Sequence, residues 1–192
     1  ISHILRVYND EYNPEKTQQL IETILETSNN DIILMPLGTP TLNAYLDKVK
    51  QGLVAVIFPY TGALTFRNDQ LKNIVNTRVS YNAEGRALAN YIAETSKPRK
   101  VAVFYQDDTF GKSPLAGVIP VLQQAGIAIK EIPYQRNDVN FQSQAKEIIA
   151  FNPDALIFLS AEIAGMSLIR QLTPNYLMTK QLYGISVLGQ EF

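Results

Sequence analysis

"KVAVFYQDDTFGKSPLAGVIPVLQQAG", residues 100–126, carries a strand-like run directly followed by a helix-like one. Residues 101–105 are an unbroken apolar run rich in β-branched and aromatic side chains, the pattern of a strand buried on both faces. From Ser113 onward apolar residues recur three or four apart, the pattern of an amphipathic helix. Between the two lies an acidic turn, Asp107-Asp108, followed by Thr109, Phe110 and Gly111.

The same alternation runs through the chain. Strand-like runs occur at 4–8 ("ILRVY"), 31–37 ("DIILMPL"), 53–59 ("LVAVIFP"), 127–133 ("IAIKEIP"), 154–160 ("DALIFLS") and 181–186 ("QLYGIS"). Helical patterns lie between most of them: "NPEKTQQLIETILET", "TLNAYLDKVKQ", "NAEGRALANYIAET", "VNFQSQAKEIIAFN" and "AEIAGMSLIRQL". Strand then helix, repeated, predicts βαβ units and parallel sheets covered by helices, an α/β fold. One segment breaks the rhythm: "IVNTRVSY" is strand-like with no helix before it, and a helix opens at Asn82. It reads as a crossing between two lobes, residues 1–81 and 82–192, each small for a doubly wound domain.

Composition narrows the function. The 192 residues are 46% hydrophobic, with 17 Lys and Arg against 18 Asp and Glu and a formal net charge of -1. No long block of like charge appears, which argues against nucleic acid and anionic membranes as partners. No stretch reaches the roughly 18 apolar residues of a membrane helix, and the first residues lack a signal-peptide pattern. With no cysteine and only His3 as histidine, disulfides, thiolate sites and histidine-rich metal sites are excluded.

In open parallel sheets ligands sit at the carboxyl ends of strands. Three loops occupy such positions. "MPLGTPTLNAY" offers Gly38 for a tight turn, Thr39 as a helix cap and Thr41 as a second hydroxyl, a place for an anion or simply a capped helix. "FPYTGALTFR" sets Tyr60, Thr61 and Gly62 after the next strand, suited to a small amphipathic molecule or to a plain turn. "QDDTFG" is the third. Its two aspartates suggest a metal or acid-base site, but neighbouring side chains on extended backbone point apart. The favoured reading is that Asp108 or Thr109 caps the following helix while Asp107 faces solvent. There is no nucleophile elbow, phosphate loop or dinucleotide fingerprint, so no enzymatic machinery and no cofactor or metal site is read. Arg78, Glu84 and Arg136 are expected in hinge or surface ion pairs, and His3 at the surface.

Taken together and in order, "NDEYNP", "LGTPTLNA", "FPYTGA", "NTRVSYNAE", "VAVFYQDDTFGKSPLAGV", "YQRNDVNF", "NPDALIFL" and "YGISVLG" resemble the type I periplasmic substrate-binding proteins of ABC transporters, the family of the leucine/isoleucine/valine-binding proteins. The resemblance implies two α/β lobes on hinge strands that close over a small ligand. It implies a non-catalytic, monomeric, periplasmic or extracytoplasmic protein without cofactor, whose partners are an amino-acid-like or other carboxylate-bearing ligand and an ABC permease. It also implies a fragment lacking the first strand-helix unit and the C-terminal part.

For the site, the resemblance places the ligand's carboxylate and ammonium against Gly38, Thr39, Tyr60, Thr61 and Gly62 in the first lobe. The second lobe contributes Phe110, Ala161 and Ser186, and Tyr81 lines the hinge side. Where the branched-chain amino acid binders carry tyrosine, an aromatic and an acid, this chain has Phe110, Ala161 and Ser186. Glu162 is a substitute anion, although a glutamate near a helix start is more often a solvated charge. A leucine-like ligand is therefore one option beside aromatic acids and small amides. The alternative function is a ligand-sensing domain of a receptor or regulator with the same fold, and a catalytic α/β enzyme ranks third.

Overall fold

Apolar runs and amphipathic stretches alternate in space much as they do in the chain. The computed structural model describes residues 4–28 and 31–189, so His3 lies outside the described residues. Two units are separated, Ile1–Arg78 and Val79–Phe192.

In the first unit α1 (Pro14–Thr27) begins where the Asn13 side chain accepts the Glu15 and Lys16 N–H groups and Pro14 takes the first helical position. Thr17, Ile21 and Ile24 form its buried stripe. Next come β1 (Ile32–Leu34), α2 (Thr39–Ala44), α3 (Leu46–Lys50), β2 (Ala55–Ile57) and β3 (Ile74–Val75). The strands are parallel in the order β1-β2-β3, with Ile33 opposite Val56 and Val56 opposite Ile74. Val56 and Ile74 are buried, whereas Ile32, Leu34 and Val75, on the other face by strand alternation, are exposed.

Three expectations change here. Residues 4–8, read as a strand, pair with no strand among the described residues, and Ile4, Leu5 and Val7 are exposed. A ladder needs a partner that propensity cannot supply. The stretch read as one helix, "TLNAYLDKVKQ", is broken at Tyr45, whose buried ring is set by tertiary packing. Of "IVNTRVSY", only Ile74–Val75 joins a ladder.

The second unit starts with α4 (Tyr81–Tyr91), capped by the Ser80 hydroxyl, which accepts the Ala83 N–H. It continues through β4 (Lys100–Gln106), α5 (Thr109–Gln124), β5 (Ala128–Tyr134), α6 (Gln142–Phe151), β6 (Ala155–Leu159), α7 (Glu162–Gln171), α8 (Pro174–Leu177) and β7 (Gln181–Gly184). All four strands are parallel in the order β5-β4-β6-β7. The chain leaves β4 first to one side and then returns to the other, which makes the gap between the β4 and β6 carboxyl ends a topological switch point.

Phe104 anchors the core on one face of this sheet. Its ring stacks on Tyr134 at 4.5 Å and meets Phe141 and Phe158 edge-on at 5.1 and 6.2 Å. Ile148, Leu156, Leu168 and Leu172 complete the cluster. Burying each such side chain contributes about 1.5–3 kcal/mol. Among the described residues no helix is long and apolar enough to cross a membrane.

Candidate functional site

The first unit brings its two strand-end loops side by side. Met35 and Phe58, each just past a strand and each followed by proline, have φ of 51° and 57°, a left-handed conformation that costs bulky residues free energy. Both loops thus turn the same way and run on together. The Tyr60 N–H donates to Pro36 O at 2.8 Å, the Gly38 N–H to Tyr60 O at 3.3 Å, and Leu37 and Tyr60 form an isolated parallel bridge.

This pairing places Thr39 and Thr61 in contact. Their Oγ1 atoms lie 2.6 Å apart, both residues are buried, and Thr61 Oγ1 accepts the Ala63 N–H at 3.2 Å. Thr39 does not cap α2, contrary to expectation: Gly38 is the cap residue and Thr39 the first helical one. Gly38 has φ 106°, and a Cβ there would lie 2.5 Å from the Tyr12 ring, so only glycine fits. With six residues α2 is too short for an appreciable dipole, which leaves the hydroxyls as the loop's useful donors. The Thr41 hydroxyl is engaged by Leu37 O. Tyr60 lies under the Arg78 guanidinium, 4.3 Å from its ring centroid. Arg78 therefore makes a cation-π contact with Tyr60.

Tyr12 is a neighbour that the sequence does not announce. It belongs to a turn knotted by Asn9 and Asp10, whose carboxamide and carboxylate oxygens accept the Glu11 and Tyr12 N–H groups. An aromatic inside a polar turn is the available signal, but its contact with Gly38 is long-range.

In the second unit the candidate residues cluster at the strand carboxyl ends. Asp108 caps α5, its Oδ1 accepting the Phe110 N–H at 2.8 Å. Asp107 pairs with Lys112 Nζ at 2.7 Å, and that hydrogen bond raises the lysine pKa above its ordinary value. The two aspartates thus have separate partners. Gly111 lets the start of α5 press onto the end of β4, since a Cβ there would come within 2.2 Å of Gln106 O. Phe110 is buried with its ring edge-on to Tyr81 at 5.5 Å, and Tyr81 opens α4 in this same unit.

Ala161 precedes α7, its N–H donating to the Tyr134 hydroxyl at 3.0 Å. Ser186 follows β7, and its N–H donates to Glu84 Oε1 at 2.5 Å. Glu84, expected in an ion pair, thus holds a loop. The Glu162 carboxylate lies beside Gly189, the residue that ends the turn after Ser186. Two carboxylates from α4 and α7 therefore flank the Ser186 loop. Among the described residues no group of three His, Cys, Asp or Glu side chains is placed to hold a metal ion.

Parallel sheets with helices around them, and polar loops gathered at strand carboxyl ends, define an α/β ligand-binding architecture. The chain belongs to the periplasmic binding protein family, whose model matches residues 4–191. This is a family of solute-binding proteins, without catalytic activity. Among solved structures it is similar to a substrate-binding periplasmic protein from Ralstonia solanacearum (23% identity, TM-score 0.82, 94% of this chain and 51% of that one). It is similar to an ABC transporter solute-binding protein from R. palustris in complex with benzoate (18%, 0.84, 95% and 51%). It is also similar to a possible leucine/isoleucine/valine-binding protein from Rhodopirellula baltica (21%, 0.81, 95% and 50%). These likenesses define the fold, and the chain spans about half the length of each of these structures. No curated protein matches the chain.

Proposed function

We propose that the protein is the extracytoplasmic, periplasmic solute-binding component of an ABC importer and captures a small carboxylate-bearing solute without chemically altering it. The Thr39–Thr61 pair carries the reading. Two hydroxyls own two protons, and their mutual hydrogen bond uses one. The other is a buried donor on a strand-end loop, where a carboxylate oxygen is the natural acceptor and the bond is charge-assisted. Tyr60 and Gly62 flank it, and Gly38 turns the chain into Thr39. In the second unit Phe110, Ala161 and Ser186 contribute, with Tyr81 behind Phe110.

The relatives support a carboxylate without choosing one, because one is a complex with benzoate and another is described as a possible leucine/isoleucine/valine-binding protein. Glu84 and Glu162 around the Ser186 loop favour a ligand that also carries a cationic group, as an amino acid does. The test is a melting-temperature screen of the full-length protein against amino acids, aromatic acids and small amides. A binder raises the melting temperature in a saturable manner and is recovered unchanged. If no compound in the panel shifts the curve, capture of such solutes is wrong.

A further inference from the structure

Tyr134 ends β5, which is separated from β6 by β4, yet its hydroxyl reaches the backbone just beyond β6. A continuous series of hydrogen bonds passes through it. The Ala161 N–H donates to the Tyr134 oxygen at 3.0 Å, and the Tyr134 O–H donates to Gln106 Oε1 at 3.2 Å. Gln106 Nε2 donates to Asp108 Oδ2 at 2.6 Å, and the other oxygen of that carboxylate accepts the Phe110 N–H at 2.8 Å. Every donor in the series points toward Asp108. Such chains polarise cooperatively, because accepting a bond at the Gln106 carbonyl strengthens the amide N–H that it donates onward. Gln106, Tyr134 and Phe110 are all buried, so little water competes.

The ring of Tyr134 is fixed independently of its hydroxyl, stacked on Phe104 at 4.5 Å and edge-on to Phe141 at 5.4 Å. We infer that Tyr134 is a positioning residue: its hydroxyl joins the Ala161 loop to the Asp108 cap, so that Ala161 and Phe110, on opposite sides of the switch point, form one preformed surface for the solute. This rests on the reading of those two residues as part of the solute site. A preformed surface loses less ordering entropy on binding, so the hydroxyl acts on affinity without touching the ligand.

Tyr134→Phe keeps the ring and deletes the link. Tyr176→Phe is the control, since it removes a hydroxyl hydrogen bond elsewhere in the second unit, to Ile148 O at 3.2 Å, away from the series. Both are made in the full-length protein and compared by backbone amide resonances and amide exchange. The expected result is that Tyr134→Phe shifts the Phe110 amide as well as the Ala161 amide and speeds exchange at Ala161 about fivefold, the worth of one net hydrogen bond. Tyr176→Phe leaves both amides in place. A Tyr134→Phe spectrum in which Phe110 does not move, or a Tyr176→Phe spectrum in which both amides move equally, overturns the coupling.

Benzoate and L-leucine serve as affinity probes. If either binds the wild type, Tyr134→Phe weakens it about fivefold, and unchanged affinity overturns the positioning role. If neither binds, it is the carboxylate-solute reading that fails for these probes, while the amide comparison still decides the coupling.

Discussion

Thr61→Val removes the partner of a buried hydroxyl and the acceptor of the Ala63 N–H at once. It is expected to cost about 1–2 kcal/mol in denaturant unfolding, because the orphaned groups keep their desolvation penalty. The double variant Thr39→Val/Thr61→Val costs less than the sum of the single variants, since two apolar groups replace two mutually dependent polar ones. Strict additivity would show that the two hydroxyls are not paired. At the same scale, Gly111→Ala drives a Cβ into the Gln106 backbone and is expected to destabilise by about 2 kcal/mol or more through displacement of α5. A thermal midpoint equal to wild type would contradict that contact. A cap at Asp108 or Thr109 was legible in the sequence, because a short polar side chain directly before an apolar-periodic run suits a helix start; the choice of Asp108 was not. The Thr39–Thr61 contact was legible only as two suitable loops, since 22 residues separate the partners and only the sheet register joins them.

Among the elements, β4 and β6 are readable from composition alone: strands buried on both faces have no polar side to interrupt the apolar run. The edge segments are not. Residues 4–8 have the propensity of a strand but no ladder partner among the described residues, and the break at Tyr45 follows from where its ring is buried. Gln106 and Tyr134 read as strand-end polar residues without any sign of their hydrogen bond, because β4 and β5 become neighbours only in the folded sheet. The opposite end of that sheet has its own clamp. Asp154 Oδ2 accepts the Lys100 and Arg99 N–H groups at 2.9 and 2.8 Å, and the Lys100 bond is the main reason that its pKa lies below the ordinary carboxylate value. A carboxylate depressed by folding stabilises above its unfolded pKa, and the contribution is lost as pH falls through the folded value. Asp154→Asn should therefore lower the melting temperature near pH 6 and flatten its decline below about pH 4. An acid limb parallel to wild type would show that the clamp does not link to folding.

For the whole molecule, the first unit leaves an apolar surface uncovered. Ile32, Leu34, Met35, Leu37, Phe58 and Val75 are all exposed, although parallel sheets are normally covered on both faces. The 192-residue chain expressed by itself is expected to bind a hydrophobic dye and to self-associate in light scattering. Leu34→Lys should reduce both while changing unfolding stability by no more than about 0.5 kcal/mol, as an exposed substitution does. A monodisperse chain that ignores the dye would contradict that expectation.

The claim that organises these features is that the paired strand-end loops take up a carboxylate-bearing solute and release it unchanged. Calorimetric titration of the full-length protein, wild type beside Thr61→Val, with compounds from the melting screen tests it most directly. The account predicts one site per chain, affinity lowered about tenfold by Thr61→Val through loss of a charge-assisted hydrogen bond, and solute recovered intact. Binding that is indifferent to Thr61, or solute recovered chemically altered, would contradict it.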